Sequence, residues 1–89
     1  MDITIEEKRV VAKENGIELG EMTFVRSSDQ FYIIDHTGVS DEARGRGVGQ
    51  QLVQAFVEHV RLEGKKIVPL CPFAKAQFDK NRDYADVLK

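Results

Sequence analysis

The chain of 89 residues has no tryptophan, one cysteine and two prolines, and it contains no long hydrophobic run. A single cysteine cannot close an internal disulfide, which favours a reducing cytoplasm. No apolar run approaches the roughly 20 residues of a membrane span, and the first eight residues do not read as a signal peptide. One cysteine and two separated histidines form no metal-ligand cluster. The sequence therefore predicts a cytoplasmic protein without a metal and without membrane association.

Neither positive nor negative charge is in large excess. Thirteen basic and 15 acidic residues give a net charge of −2, so no general attraction to nucleic acid or to an anionic membrane is expected. The 42% hydrophobic and 31% charged content is typical of a globular protein, and neither repeats nor low-complexity tracts occur. Eighty-nine residues predict one domain, 1–89, near the lower size for an independent hydrophobic core.

The most informative segment is 44–49, which reads Arg-Gly-Arg-Gly-Val-Gly and is followed at once by an amphipathic helical pattern. Three glycines let the backbone turn tightly and approach a ligand without Cβ obstruction. The helix behind them would present unpaired N–H groups and its positive dipole end. With Arg44 and Arg46 nearby, the segment favours a phosphate or pyrophosphate.

Spacing argues against two common nucleotide sites. A Walker loop needs a Lys-Ser or Lys-Thr pair, and none follows Gly49. The dinucleotide motif needs G-x-G-x-x-G after a first strand, whereas this G-x-G-x-G falls in mid-chain. The segment could also be a glycine-rich connector or an arginine-glycine segment for RNA, but the ordered helical pattern behind the glycines argues against both.

Three strand-like runs precede the glycine segment, at 8–14, 17–26 and 31–39. Asn15-Gly16 between the first two predicts a two-residue hairpin with a type I′ turn, and 27–30 is a polar turn. Strict alternation in the third strand places Asp35 and Thr37 on one face and His36 and Gly38 on the other.

Beyond the glycines the period becomes helical over 48–63, and Gly64 is typical of a left-handed C′ residue. A short strand follows at 66–70, where Pro69 should end the pairing, then a helix over about 73–80. Strand, loop, helix and strand form one right-handed βαβ unit. The predicted fold class is α/β (α+β): a mostly antiparallel twisted sheet with one parallel βαβ crossover and helices packed on it.

Arg44-x-x-Gly47-x-Gly49, placed directly after a strand that ends at Val39, resembles motif A of the GNAT superfamily of N-acetyltransferases. The layout from about residue 8 onward resembles the core of that fold without its first two helices and last two strands. It looks most like a small subgroup in which Cys-Pro-Phe follows the last strand, as residues 71–73 do here.

The resemblance implies that the glycine segment holds the pyrophosphate of acetyl-coenzyme A. It also implies that the pantetheine arm lies between strands 31–39 and 66–70, where a backbone N–H of 36–39 would polarise the thioester. Gly38 in this stretch is consistent with a bulge or with close approach of a ligand. Glutamate at Gly47 or Gly49 is expected to block the ligand while the fold is retained. The expected cofactor-binding residues are Thr37, Gly38, Val39, Arg44, Gly45, Arg46, Gly47, Val48 and Gly49.

Larger members of the superfamily often carry a tyrosine acid on the last motif helix, but the matching residue here is Phe78. Cys71, at the start of that helix, is the expected substitute, because a helix N-terminus stabilises a thiolate. It could accept an acetyl group or return a proton to coenzyme A. His36 is the second catalytic candidate, as a base for an amine or as an activator of Cys71. The alternatives are a small buried Cys71 and a half-exposed strand histidine.

The resemblance implies an acetyl-coenzyme A-dependent N-acetyltransferase for an amine or protein acceptor that the sequence does not identify. The missing tyrosine and the small size keep open a non-catalytic module that binds or senses acyl-coenzyme A. An interaction protein that kept the fold but lost the ligand is disfavoured by the intact 44–49 segment.

Overall fold

The computed structural model describes residues 1–89 as one mixed sheet with two helices and two short 3₁₀ segments. The 3₁₀ segments are Asp41–Ala43 and Arg82–Val87. The strands are β1 (Asp2–Ile5), β2 (Arg9–Glu14), β3 (Ile17–Arg26), β4 (Phe31–Val39) and β5 (Lys66–Pro69), and the helices are α1 (Val48–Glu63) and α2 (Pro72–Lys80).

The five strands follow one another in chain order across the sheet, β1-β2-β3-β4-β5. All neighbours are antiparallel except β4 and β5, which are parallel and joined through α1. Asn15 (φ 52°) and Gly16 (φ 80°) both have positive φ between the paired residues Glu14 and Ile17, as a type I′ turn requires. The α/β fold class and its single parallel crossover are confirmed.

Helix α1 covers one face of the sheet with its apolar stripe. The apolar residues that recur at helical spacing are buried: Val48, Leu52, Val53, Phe56, Val57 and Val60. The Phe56 ring lies 4.3 Å from the Phe24 ring and 5.4 Å from the Tyr32 ring, which fixes the helix over β3 and β4. Gly64 ends the helix at φ 70°, as its sequence predicts. Neither helix combines the length and the apolar character needed to cross a membrane.

A β-bulge in β4 corrects the predicted alternation of faces. Thr23 pairs with His36 while its neighbour Phe24 pairs with Ile34, so Asp35 is an extra residue in β4. Asp35 and His36 therefore lie on the same side as Thr23, and Thr23 donates to Asp35 at 2.6 Å. After the bulge Thr37 pairs with the fully buried Met22, so it faces the helices. The bulge lies at Asp35 and not at Gly38.

Strands β4 and β5 part at Ile34. Their pairing runs from Phe31 and Lys66 to Ile34 and Pro69, and it stops there as the missing N–H of proline predicts. The carbonyl of Ile34 then accepts from both Leu70 N (3.0 Å) and Cys71 N (3.2 Å). The remaining length of β4, 35–39, continues without β5 beside it, and Cys71 lies where the two strands part.

Two elements were not predicted from the sequence. Strand β1 extends the sheet at its edge, and the alternating Ile3 and Ile5 that pack against the core were the available signal. The C-terminal residues lie along the outer side of β5, where Leu88 pairs with Ile67 and Lys89 N donates to Ile67 O at 3.0 Å. Val87 enters the core with 2% exposure, so this segment closes the β5 edge.

We expect Val87→Ala to destabilise the protein by about 2 kcal/mol, because two buried methyl groups leave the core. Leu88→Ala is the matched control, since Leu88 is 43% exposed and its loss should cost little. Urea unfolding curves of the two variants measure the difference. Equal midpoints for both would contradict a packing role for the C-terminal segment.

Candidate functional site

The glycine segment forms a sharp loop between the 3₁₀ turn Asp41–Ala43 and helix α1. Gly45 (φ 83°) and Gly47 (φ 76°) adopt the left-handed conformation on either side of Arg46. A Cβ at either glycine would meet no atom within 4 Å, so backbone conformation and not lack of room demands glycine. The positive φ angles of these two residues turn the chain so that it enters the first turn of α1.

The first turn of α1 offers free hydrogen-bond donors. Its N-cap is Gly47, which has no side chain to cap it, and the N–H groups of Val48, Gly49 and Gln50 have no acceptor. They border a cavity of about 300 Å³ lined by Val39, Ala43, Arg44, Gly45, Gly47, Val48, Gly49, Gln50 and Phe73. Donors, a helix N-terminus and the cation of Arg44 suit a phosphate group.

Gly49 has a different role from the other two glycines. An added Cβ would lie 2.6 Å from the ring of Phe73, at the start of α2. Its absence lets Phe73 pack on the first turn of α1 and form one wall of the cavity. A larger residue at Gly49 would therefore have to displace the Phe73 ring, which makes Gly47 the cleaner position at which to test the ligand. Phe73 was missed as a site residue, because the sequence does not show which residue packs on the glycine.

The two arginines of the loop point to different neighbours. Arg44 lines the cavity, and its side chain is 74% exposed with Nε 3.3 Å from Asp41. Arg46 is not among the lining residues and forms an ion pair with Glu14 at the end of β2. The hydrogen bond and charge of Arg46 lower the pKa of Glu14. Glu14, 32 residues away in sequence, carried no local signal.

Cys71 lies at the opening between β4 and β5, as its position in the sequence predicts. It is the N-cap of α2, where its Sγ accepts from Ala74 N at 3.3 Å, and Pro72 occupies the first helical turn. Thr37 Oγ1 lies 3.3 Å from the same sulfur. The thiol is free and 7% exposed. The backbone N–H of Ala74 and the hydroxyl of Thr37 therefore hold the sulfur in one position.

His36 is exposed on the face of the sheet opposite to Thr37, and it forms no hydrogen bond or ion pair. Its Nε2 would lie 3.2 Å from a Cβ at Gly38, so this glycine leaves room for the imidazole ring. No contact joins His36 to Cys71. The expectation that His36 activates the thiol is therefore not met in this structure, and a separate role toward an acceptor stays a prediction.

A larger groove of about 670 Å³ lies at the other end of the sheet, between the β1–β2 loop and the last turns of α1. Its floor includes Phe24 and Tyr32, and its rim includes Arg26, His59 and Glu63. Tyr32 donates to Glu63 at 2.6 Å, which satisfies both groups. None of the predicted site residues borders this groove.

Comparisons with known proteins identify the family and the fold. The family model of the GCN5-related N-acetyltransferases matches residues 9–87. A candidate GCN5-like N-acetyltransferase from Staphylococcus aureus, solved by NMR, is 38% identical with a TM-score of 0.79, covering 99% of this chain and 87% of that one. A search of curated proteins finds no match.

More distant structures share the fold. Tetrahymena GCN5 is 20% identical with a TM-score of 0.66, covering 84% of this chain and 51% of that chain. A Clostridium acetobutylicum protein described as a predicted acetyltransferase, solved with acetyl-coenzyme A, is 14% identical with a TM-score of 0.61; the match covers 81% of this chain and 54% of that chain. The glycine loop, the parting strands and the match over 9–87 lead to one conclusion: the chain belongs to the GCN5-related N-acetyltransferase family.

Proposed function

We propose that this protein transfers the acetyl group of acetyl-coenzyme A to an amine. The observation that carries the proposal is the cavity at the first turn of α1, with its three unpaired N–H groups. The free thiol of Cys71 lies where β4 and β5 part. A place for phosphate and a thiol at the parting of two strands would suit a long phosphorylated thioester. Because Cys71 must stay reduced, we also propose a cytoplasmic location.

The proposed coenzyme contacts follow from the cavity. The amides of Val48, Gly49 and Gln50 would donate to phosphate oxygens, and Arg44 would supply a charge from the rim. Thr37 and Val39, on the helix side of β4, would border the pantetheine arm. Gly38 and the main chain after the bulge would approach the thioester, and Gly45 and Gly47 would shape the loop. Arg46 would act through Glu14.

In the proposed reaction the acceptor amine gains the acetyl group and loses one proton. The amine nitrogen forms a bond to the thioester carbonyl carbon, the carbon–sulfur bond breaks, and coenzyme A leaves as a thiolate that takes the proton of Cys71. Hydrogen bonds from Ala74 N and Thr37 Oγ1 stabilise the resulting Cys71 thiolate. The amine then returns a proton to Cys71. Direct acetylation of Cys71 is the alternative route, and it uses the same contacts.

No tyrosine takes the place of this thiol. Phe78 is buried on α2 with its ring 5.4 Å from that of Tyr84. Burial raises the pKa of Tyr84, with Glu58 on the C-terminal half of α1 adding to the effect. Because a raised pKa makes the Tyr84 hydroxyl a weaker acid than an ordinary tyrosine, we assign the role of proton donor to Cys71.

A non-catalytic coenzyme A-binding module is the second candidate, favoured by Phe78 in place of a tyrosine acid. The two share the coenzyme site and differ in turnover. An acceptor amine that releases coenzyme A in the presence of the protein supports the transferase, whereas tight binding without turnover on any amine supports the binding module.

Calorimetry with acetyl-coenzyme A tests the shared part of the proposal. We expect one molecule bound per chain and a rise in melting temperature, because a ligand of the native state stabilises it by mass action. ATP and NAD, which lack pantetheine, are the controls and should raise it much less. A panel in which ATP or NAD stabilises the protein and acetyl-coenzyme A does not would contradict the proposal.

A further inference from the structure

The loop that carries the unpaired amides is held weakly by its own backbone. Within it, Arg44 N donates to Asp41 O at 3.4 Å and Arg46 N to Ala43 O at 3.3 Å, both at the long end for such bonds. Gly45 and Gly47 on either side of Arg46 add conformational freedom. An isolated loop of this kind would sample several shapes, and few of them would align the amides.

The Arg46–Glu14 ion pair joins the middle of the loop to the sheet, whereas the backbone of 44–47 has no hydrogen bond to a distant strand. No other side chain of 44–49 forms a hydrogen bond or ion pair outside the 41–49 segment. Glu14 is a firm anchor, because its backbone pairs with Ile17 and its strand carries the fully buried Val10 and Ala12. The pair therefore connects the middle of the glycine loop to a paired strand of the sheet.

We infer that Glu14 is a positioning residue for the coenzyme site, which holds Arg46 and keeps the amides of 48–50 aligned toward the phosphate. This inference rests on the proposed function. Arg44 is then the loop cation that meets the phosphate, and Arg46 is the cation that shapes the loop. The competing arrangement is that Arg46 leaves Glu14 to bind the phosphate directly, in which case Glu14 weakens binding.

The two arrangements predict opposite changes in the KM for acetyl-coenzyme A when Glu14 is replaced by glutamine. Positioning predicts that the KM for acetyl-coenzyme A rises about two- to fivefold, as for loss of a part-exposed ion pair, with kcat unchanged. Competition predicts a lower KM, because Arg46 is freed and a negative charge leaves the site. Glu42→Gln, in the exposed 3₁₀ turn beside the loop, is the control for general charge, and subtracting its effect isolates the contact. A Glu14→Gln KM equal to or below that of Glu42→Gln overturns the inference.

A variant with the charges of residues 14 and 46 exchanged separates the two arrangements a second time. The double variant Glu14→Arg, Arg46→Glu keeps the ion pair and the net charge, so positioning predicts a KM below that of Glu14→Arg alone. If Arg46 binds phosphate directly, adding Arg46→Glu to Glu14→Arg raises the KM further, and that result overturns the inference.

Lowering the pH should have the same effect on the KM as the Glu14→Gln substitution. The pKa of Glu14 is lowered in the folded protein by Arg46, so the contact is present above the ordinary glutamate range and is lost as pH falls through the lowered value. We expect the KM of the wild type to rise there and that of Glu14→Gln to lack this component. Identical pH profiles for the two proteins would contradict the inference.

Amide hydrogen exchange of the free protein separates this inference from the proposed function. Glu14→Gln should speed exchange at Arg44 and Arg46, whose N–H groups form the hydrogen bonds within the loop, about two- to fivefold, whether or not a ligand exists. If Glu14→Gln exchanges faster but the wild type binds no coenzyme A, the proposed function is wrong and the positioning role of Glu14 stands. If the wild type binds coenzyme A and Glu14→Gln shows neither faster exchange nor a changed KM, only the positioning role is wrong.

Discussion

Gly47→Glu should abolish binding of acetyl-coenzyme A, with an expected loss of at least about 100-fold in affinity from blocked space and charge repulsion. A Cβ at Gly47 would enter open space, so the new side chain and its negative charge would occupy the cavity where the proposed phosphate lies. The left-handed conformation adds about 1–2 kcal/mol of strain to the folded state. Calorimetry on the folded variant measures the loss.

Gly64→Glu is the matched control for that strain. Gly64 has φ 70°, and a Cβ there also meets nothing within 4 Å, but it lies at the opposite end of α1. The two variants should lose similar stability, while only the change at Gly47 should affect the ligand. Equal affinity in both would place the coenzyme away from the loop.

Cys71→Ala should lower kcat by about 100-fold or more while leaving affinity for acetyl-coenzyme A nearly unchanged, the pattern of a group that acts in the transition state. The variant loses the hydrogen bonds to Thr37 and Ala74 together with the transferable proton. Cys71→Ser is the matched control, because a hydroxyl preserves the N-cap of α2 but is a weaker acid than the thiol. Assays of coenzyme A release compare turnover by the wild type, Cys71→Ala and Cys71→Ser. Full turnover in Cys71→Ala would reduce the thiol to a packing role.

The two routes through Cys71 differ in what remains on the sulfur. Incubation with acetyl-coenzyme A in the absence of an acceptor leaves an acetyl group on the Cys71 peptide only on the acyl-enzyme route. Since His36 and Cys71 face opposite sides of β4 and share no contact, we expect the losses from His36→Ala and Cys71→Ala to add independently. Strong non-additivity would restore the predicted activation of the thiol by His36.

Much of the fold could be predicted because its signals are local. Helix α1 was predicted over 48–63, where it is found, since its apolar period and Gly64 both lie within the segment. The Asn15-Gly16 turn and the end of pairing at Pro69 likewise depend on one or two residues each. The C-terminal segment was not predicted, because Val87 is ordered by packing on elements far from it in sequence.

The candidate site shows the same division. The tight glycine loop follows from a short motif, and the placement of Cys71 where the strands part is what the resemblance to the superfamily implied. The bulge at Asp35 did not, since it arises from a register shift against β3, and it reversed the faces of His36 and Thr37. Glu14 and Phe73 could not be predicted either, because each meets the loop through a tertiary contact.

The most direct test of the central claim is amide chemical-shift mapping of the ¹⁵N-labelled protein during titration with acetyl-coenzyme A. The proposed site predicts that the largest changes occur at Gly45, Gly47 and 48–50, with a second set at Thr37 and Cys71. Changes concentrated instead in the groove between the β1–β2 loop and the end of α1, at Lys8, Arg26 and His59, would contradict it.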